Sequence, residues 1–547
     1  MNDLRTRASE SPRVLLIGPY DPHCGEYTFL APPLGVWRLA GVLQSAGAAV
    51  EVFDPNCCPM SPQRALEREL RSSSWDVIGV STTGMTLRFD LELAYIARRL
   101  APDALLIAGG MEATFRPELM FGLGPFDLAV LGEGERPLTE IVRRLRCGEP
   151  LDALPGTAAR VGGEIVKRTQ RALSREELRA AIFSTPYARM PYPAYWSRLE
   201  QAYRVGRLPT KAAREARLAE IRSVRLITLN YCPMGCSFCS ATNFLHEAQG
   251  HVAAVARLEA DECLTMIGRI VAAHPGVRTI IFQDDIFAFT QDRRLLPLCQ
   301  GIVAAKARGT LPPELQFIST NRIDAMSSER LAAMRDAGFR VLGFGIESFS
   351  PRILAEFNKA AIHRHIEPML SAALELGITP FLDLILSSPR AGLQDLAETL
   401  REAYRWLLRG CEIGMYPYVI PFSGAAFARD ASLAAHTIHA RRRVAGTDVE
   451  WDQPAKILPV DPSVREAVLR IESDFETRIA ALEQGSAHLP SRVRSLVWIL
   501  SSLAVLGEYG ISVADAREVE AQLDARLPRL SRLQQEATGP RAVVAGA

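Results

Sequence analysis

Three thiols, Cys232, Cys236 and Cys239, stand at C-x3-C-x2-C spacing in the stretch LNYCPMGCSFCS. Thiolates are natural iron ligands, and three on one tight loop can hold three corners of a [4Fe–4S] cubane while the fourth iron keeps no protein ligand. An open iron is a place for chemistry. Structural zinc would want four ligands in two separated pairs, and the chain has no second C-x2-C. Pro233 and Gly235 suit a sharp turn, and Phe238, just before the last cysteine, can shield a cluster from water. Cys24, Cys57, Cys58, Cys147, Cys263, Cys299 and Cys411 show no ligand-like spacing beyond the adjacent pair and read as core or surface thiols.

The elements around the triplet explain why it is placed for reaction. It follows the apolar run VRLITLN (224–230), the first of a series continued by RTIIFQDD (278–285), ELQFIST (314–320), RVLGFGIES (340–348), TPFLDLILS (379–387) and GMYPYVIP (414–421), with helical segments between. Six βα units at that spacing predict a partial (β/α)6 barrel over 221–430, and barrels of this kind place their sites at the carboxyl ends of the strands. The first 150 residues carry a second series, RVLLIG (13–18), AVEVFD (49–54), DVIGVST (76–82), ALLIAGG (104–110) and DLAVLGEGE (127–135), each ending in small residues. This predicts an open, doubly wound α/β domain over 11–150, with ligands beyond the strand ends. Residues 151–220 turn Pro- and Arg-rich and read as a connector, in which the aromatic stretch Tyr192 to Trp196 suits either a substrate contact or packing against both domains. After 430 helical periodicity takes over, so 431–547 is predicted to be a helical domain.

At these places the chain resembles a known family. The triplet and the barrel series are similar to the radical S-adenosylmethionine (SAM) superfamily, and the fragments APPLGVWRLAGVLQSAG (31–47), GVSTTGMT (79–86), IAGGMEAT (107–114) and LGEGE (131–135) resemble the cobalamin-binding domains fused ahead of such barrels. The resemblance implies three cofactors: a [4Fe–4S] cluster on Cys232, Cys236 and Cys239, SAM chelated at the open iron, and cobalamin. It implies SAM contacts at further strand ends: Asp284 and Asp285 toward the ammonium, Ser319, Thr320, Asn321 and Arg322 toward the carboxylate, and Glu347 with Ser348 toward the ribose. An aspartate pair that caps a helix and an Arg–Glu pair that buttresses the barrel are the competing readings. For cobalamin, Gly109, Gly110, Gly132 and Gly134 would let backbone approach the nucleotide tail, with Ser81, Thr82 and Glu133 beside it. One departure concerns the metal's lower ligand. Asp21, His23 and Gly25 read D-x-H-x-G, one residue shorter than the D-x-H-x-x-G of methionine synthases and mutases, and the radical SAM fusions generally lack that histidine.

The implied activity is methyl transfer from SAM by way of methylcobalamin to a carbon of a small natural-product precursor, tryptophan among the candidates, with an external electron donor such as flavodoxin or ferredoxin. A ring-forming cyclase of the same architecture is the enzyme alternative, and a cobalamin sensor with a structural cluster the non-enzyme one. Composition fits a large protein of several domains, with 547 residues, 48% of them hydrophobic and 23% charged. Basic and acidic residues nearly cancel, 63 against 62, so no global field draws the chain onto nucleic acid or an anionic membrane. The longest apolar stretch, near Leu496 to Leu506, is well short of the roughly 20 residues that span a bilayer. The N-terminus lacks a secretory apolar core. A cytoplasmic location is expected, where thiols stay reduced.

Overall fold

Apolar β-branched runs alternating with amphipathic helices favour parallel sheets, because each crossover covers a sheet face with a helix. The computed structural model describes residues 11–22, 31–151, 153–483 and 491–511 and contains two such sheets. The first is built from β1 (Arg13–Ile17), β2 (Ala49–Phe53), β3 (Val77–Thr82), β4 (Leu105–Gly110), β5 (Leu128–Val130), β6 (Thr157–Val161) and β7 (Glu164–Arg168), in the order β2-β1-β3-β4-β5-β6-β7. The first five strands are parallel, and the order reverses between β1 and β3, which is where doubly wound sheets bind ligands. β6 and β7 are antiparallel. They correct the expected connector: its first residues form a hairpin on the sheet edge, turned by Gly162 and Gly163 at φ +60° and +92°, the glycine pair a two-residue hairpin needs.

The reversal point is held by one carboxylate. Asp90, fully buried on the helix Leu87–Leu100, accepts hydrogen bonds from Tyr20 N (2.9 Å) in the loop after β1, and from Thr83 N (3.3 Å) and Thr86 Oγ1 (2.6 Å) in the loop after β3. Burial pushes its carboxyl up to about 7, against those three bonds. A carboxyl with a folded pKa above its unfolded one binds more protons in the native state, so its contribution to stability falls as pH rises between roughly 4 and 7. Asp90→Asn is expected to flatten the pH dependence in that window by up to about 1.4 kcal/mol per pH unit, read from urea unfolding across the range.

The second sheet runs β8 (Ser223–Leu226), β9 (Thr279–Phe282), β10 (Gln316–Asn321), β11 (Phe339–Glu347), β12 (Thr379–Ile385) and β13 (Glu412–Tyr416), in sequence order and all parallel. β8 and β13 are its edges, so the barrel is partial, as the six βα units predict. One face of each strand packs under the helices: Phe282, Phe287, Phe317 and Phe339 stack there, with ring centroids 4.2 Å apart for Phe282–Phe287 and 5.3 Å for Phe317–Phe339. The opposite face lines the lumen.

The C-terminal region departs from the all-helical expectation. Before the helices Pro462–Glu483 and Ser491–Glu508 comes an antiparallel hairpin, β14 (Thr437–Arg443) and β15 (Glu450–Ile457). Arg441, Glu450 and Asp452 pair on its exposed surface, so polar residues hide the alternation that marks a half-buried strand. Its tip reaches back to the first domain, where Val444 and Trp451 join the core that contains Leu66, Ile78 and Leu91. Of the terminal helices, Ser491–Glu508 packs on β13. Among the described residues no helix is long and apolar enough to cross a membrane.

Candidate active site

The cysteine loop leaves β8 and is shaped mainly by groups other than its thiols, of which Cys239 Sγ accepts from Ala241 N at 3.4 Å. Gly235, at φ +67°, makes the turn; its N–H donates to Thr242 Oγ1 (2.9 Å), whose hydroxyl donates to the Cys232 carbonyl (2.8 Å). Asn358 Nδ2 donates to the Gly235 carbonyl (3.0 Å) and Ser237 Oγ to that of Glu356 (2.9 Å). All three cysteines are free and half-buried. Phe238 packs edge-on to Phe357, centroids 5.1 Å apart, with the Lys359 ammonium over its ring. Burial, with a smaller contribution from the Asp285 carboxylate, pushes Cys232 up to about 12 and Cys239 up to about 11. Such thiols ionise when a metal takes the proton's place. Cys232 and Cys239 each lie within the electrostatic reach of Cys236 on this one loop, and a cubane takes each thiolate of such a group at its own iron. The donor set therefore fits the cluster.

The two-residue period of a strand divides the predicted SAM contacts. Asp284 points to the helix side, where it accepts from Thr228 N and Thr228 Oγ1 (both 2.6 Å) and from Leu229 N (3.0 Å), bracing the start of the cysteine loop. Burial pushes its carboxyl up to about 6, although Arg294 and these bonds oppose it. Asp285 points the other way, is solvent-accessible, and has no hydrogen-bond partner among the described residues. The pair is thus corrected to one brace and one lumen carboxylate. Ser319 is buried with its hydroxyl accepting from Asn321 Nδ2 (2.9 Å). Ser348 is buried against Thr399 Oγ1 (2.7 Å). Arg322 directs Nε and Nη2 at Asp324 (2.9 and 2.7 Å), so its bidentate fork is already taken. Thr320, between Ser319 and Asn321, is exposed.

Glu347 does reach the lumen, beside Cys236 in the field of charges around the loop. A bulge between Gly345 and Glu347 shifts the β11–β12 register, and Glu347 sits at φ +64°, a left-handed backbone rare outside glycine. Its carboxylate is paired with Lys359 Nζ at 2.9 Å, both side chains under a tenth exposed. A Cβ on Gly345 would lie 2.5 Å from Glu347 Oε1, so glycine there makes room for the pair.

In the first domain Thr82 is fully buried and its hydroxyl donates to the Gly109 carbonyl (2.9 Å), which leaves Ser81, half-buried, as the accessible hydroxyl. A Cβ on Gly109 would meet nothing closer than 4.0 Å, an open approach, while Gly110 has φ +92°. Glu133 turns inward to accept from Leu173 N (2.7 Å), and burial with the neighbouring Glu135 pushes it up to about 7. Gly134 lies under Leu39. His23 and Gly25 lie outside the described residues.

The loops after β3, β4 and β5 lean on the barrel and the C-terminal hairpin at three points. Gln453 Nε2 of the β14–β15 hairpin donates to the Gly84 carbonyl. Ser423, beyond β13, donates to Glu112 Oε1 (3.1 Å). The ideal Cβ of Gly132 would fall 2.5 Å from Ala248 Cβ, on the helix Ala241–Gln249 that follows the cysteine loop. Gly132 also has φ +73°. Gly132→Ala is therefore expected to cost roughly 1–3 kcal/mol in unfolding and to loosen the domain contact; Ala248→Gly in the same chain should recover the clash part of that loss.

The connector's aromatic stretch proves to be packing. Tyr195 Oη donates to Asp54 Oδ2 (2.7 Å) after β2, Trp196 Nε1 to the Ser223 carbonyl (3.1 Å), and Tyr192 Oη accepts from Arg225 N (3.1 Å), tying the two sheets together. Sequence reasoning missed Lys359, which no local pattern marks, and Asp383, which one does: it is the lone charge inside the apolar run TPFLDLILS.

Two family matches coincide with these domains: the B12 binding domain over residues 22–142 and the radical SAM superfamily over residues 226–403. An uncharacterized methyltransferase of Pyrococcus horikoshii is 23% identical, covering 68% of this chain and 73% of that protein. The anaerobic magnesium-protoporphyrin IX monomethyl ester cyclase of Cereibacter sphaeroides is 22% identical over 72% of this chain, which spans only 60% of the cyclase. Among solved structures, the radical SAM methyltransferase TsrM from Kitasatospora setae with cobalamin and [4Fe–4S] cluster bound superposes with a TM-score of 0.64 at 16% identity, over 96% of this chain and 99% of that one. The same protein with tryptophan substrate and a SAM analog gives 0.61 at 16% identity, over 80% of each.

Proposed function

We propose that this chain, a cobalamin-dependent radical SAM enzyme, transfers a methyl group from SAM to a carbon of a small molecule held between its two sheets. One observation carries the reading. The loops at the carboxyl ends of β3, β4 and β5 press on the helix that follows the cysteine triplet, on the segment after β13 and on the β14–β15 hairpin, so the ligand edge of the first sheet is held against the elements that carry the cysteine loop.

Cys232, Cys236 and Cys239 would hold the cluster, and Asp285, free on the lumen face beside them, would accept hydrogen bonds from the SAM ammonium. Glu347, fixed by Lys359, would receive ribose hydroxyls. Gly109, Gly110 and Ser81 would line the approach of the cobalamin tail. When bound, the cofactors supply the one-electron reduction of SAM and the methyl carriage; the chain positions them and excludes water. The electron comes from an external donor such as flavodoxin or ferredoxin. Tryptophan-like precursors are the first substrates to try, given the substrate named for TsrM.

Ring formation without methyl transfer is the second reading, favoured by the similarity to the cyclase. Product mass separates them, since methylation adds one CH2, about 14 mass units. The cofactor assignment is tested by absorbance and electron paramagnetic resonance of anaerobic protein reconstituted with iron, sulfide and hydroxocobalamin. Stoichiometric cobalamin and one cluster are expected. A cluster without cobalamin would remove the methyl carrier and with it this function.

A further inference from the structure

Asp383 is a lumen carboxylate that none of the cofactor contacts above uses. It lies mid-strand on β12 between buried Leu382 and Leu384, which face the helices, so the strand period turns it into the lumen. It is half-buried, and among the described residues it has no hydrogen-bond or ion-pair partner. Its neighbours in register are Gly345 on β11 and Gly414 on β13. Neither glycine leaves empty space: a Cβ on Gly345 would lie 2.5 Å from Glu347 Oε1, and one on Gly414 would lie 3.1 Å from the Phe381 ring and 3.3 Å from Asp383 Oδ1, so the two glycines let the carboxylate and its neighbours fit side by side. The β11 bulge sets Glu347 opposite Leu384, one residue further toward the carboxyl end. Asp383 thus sits immediately below the level at which Glu347 faces the cysteine loop.

The charges around it are already balanced. Lys359, the cation within its electrostatic reach, is held by Glu347 Oε1 at 2.9 Å and by the Gly345 carbonyl at 2.5 Å. Tyr416, the last residue of β13, is 55% exposed on the same face, and its phenol feels the Asp383 charge. Enclosure, with a smaller contribution from Glu347, pushes the Asp383 carboxyl up to about 7. A carboxylate with no ion-pair partner of its own, on the same strand face as an exposed aromatic ring, suits an ammonium group, which would gain an ion pair from the one and a cation–π contact from the other.

We infer that Asp383 and Tyr416 form the substrate-anchoring end of the lumen and that the substrate carries a protonated amine. This rests on the methyl-transfer reading and adds the substrate class to it. Lone mid-strand charges facing a lumen are costly unless partnered, and the substrate is the partner the geometry leaves open. Anchoring one end at Asp383 orients the rest of the molecule toward the cysteine loop and the first-domain loops above it.

The test uses cluster- and cobalamin-loaded full-length protein with SAM, and three probes of similar size, 2-phenylethylamine, 2-phenylethanol and phenylacetate, titrated by ligand-observed NMR. The amine is expected to bind at least ~10-fold more tightly than the alcohol, and phenylacetate more weakly than either. Asp383→Asn should erase the amine's advantage, and Asp383→Glu should keep part of it. Tyr416→Leu, at an exposed position, should weaken the amine about 3-fold and leave the alcohol unchanged. Three probes that bind the wild-type protein alike, or an amine preference that survives in Asp383→Asn, would overturn the inference. SAM-derived products form or fail to form without any added substrate, so failure of the methyl-transfer reading shows separately from failure of this one.

Discussion

Alanine at any one of Cys232, Cys236 or Cys239 is expected to lower reductive cleavage of SAM by on the order of 10³-fold, with the triple variant scarcely worse than a single one. On the proposed function the three thiolates would act as a unit, because a cubane without one of its protein ligands would no longer present a single open iron to SAM. The loop itself should survive the change. Its shape comes from Gly235, Thr242, Ser237 and Asn358, whose hydrogen bonds do not involve the thiols. The cysteines are half-buried and form no disulfide, so truncation leaves neither a stranded charge nor a large cavity and costs only the weak Ala241 N to Cys239 Sγ bond (3.4 Å). Cobalamin retention should therefore persist while iron and sulfide content and 5′-deoxyadenosine formation fall together. A variant that lost cobalamin along with the cluster would mean that the loop and the first domain do not fold independently of the cluster.

Lys359→Met is expected to cost roughly 3–5 kcal/mol of stability, because it leaves the buried Glu347 carboxylate without its cation. Glu347 already carries backbone strain of order 1–3 kcal/mol at φ +64°, which the bulge and the ion pair together hold in place. The double variant Glu347→Met/Lys359→Met should regain most of the loss, since two apolar groups of similar volume replace a pair that had to be desolvated. Urea unfolding of the single and double variants measures the coupling. SAM affinity separates structure from function: if Glu347 receives the ribose, the double variant folds well and binds SAM poorly. A double variant that binds SAM normally would reduce the pair to a buttress of the barrel.

Much of this was legible in the sequence because it depends on local pattern. The strands β1 to β5 and β8 to β13 are apolar runs ending in small or polar residues, and the triplet's spacing specifies its own chemistry. What was not legible depends on which way a side chain turns or on residues far apart in the chain. Asp284 and Asp285 are adjacent in the loop just past β9, and only the folded loop says which is buried: Asp284 accepts from Thr228 and Leu229 while Asp285 is exposed. Lys359 meets Glu347 through a bulge that has no composition signal. The β14–β15 hairpin carries little signal because its charged pairs face water on both strands and its buried residues are few, Val444 and Trp451 near the tip and Ile457 at the far end. The β6–β7 hairpin did carry its signal, Gly162-Gly163, at the start of the segment 151–220 that reads as a connector.

The most direct test of the central claim supplies methyl-labelled SAM and a strong reductant to cluster-loaded protein, with and without bound hydroxocobalamin, and measures S-adenosylhomocysteine and 5′-deoxyadenosine in the same samples. The two-cofactor arrangement predicts 5′-deoxyadenosine in both samples and S-adenosylhomocysteine only in the one that holds cobalamin. Formation of 5′-deoxyadenosine with no S-adenosylhomocysteine in the cobalamin-loaded sample would contradict methyl transfer and leave the ring-forming reading in its place.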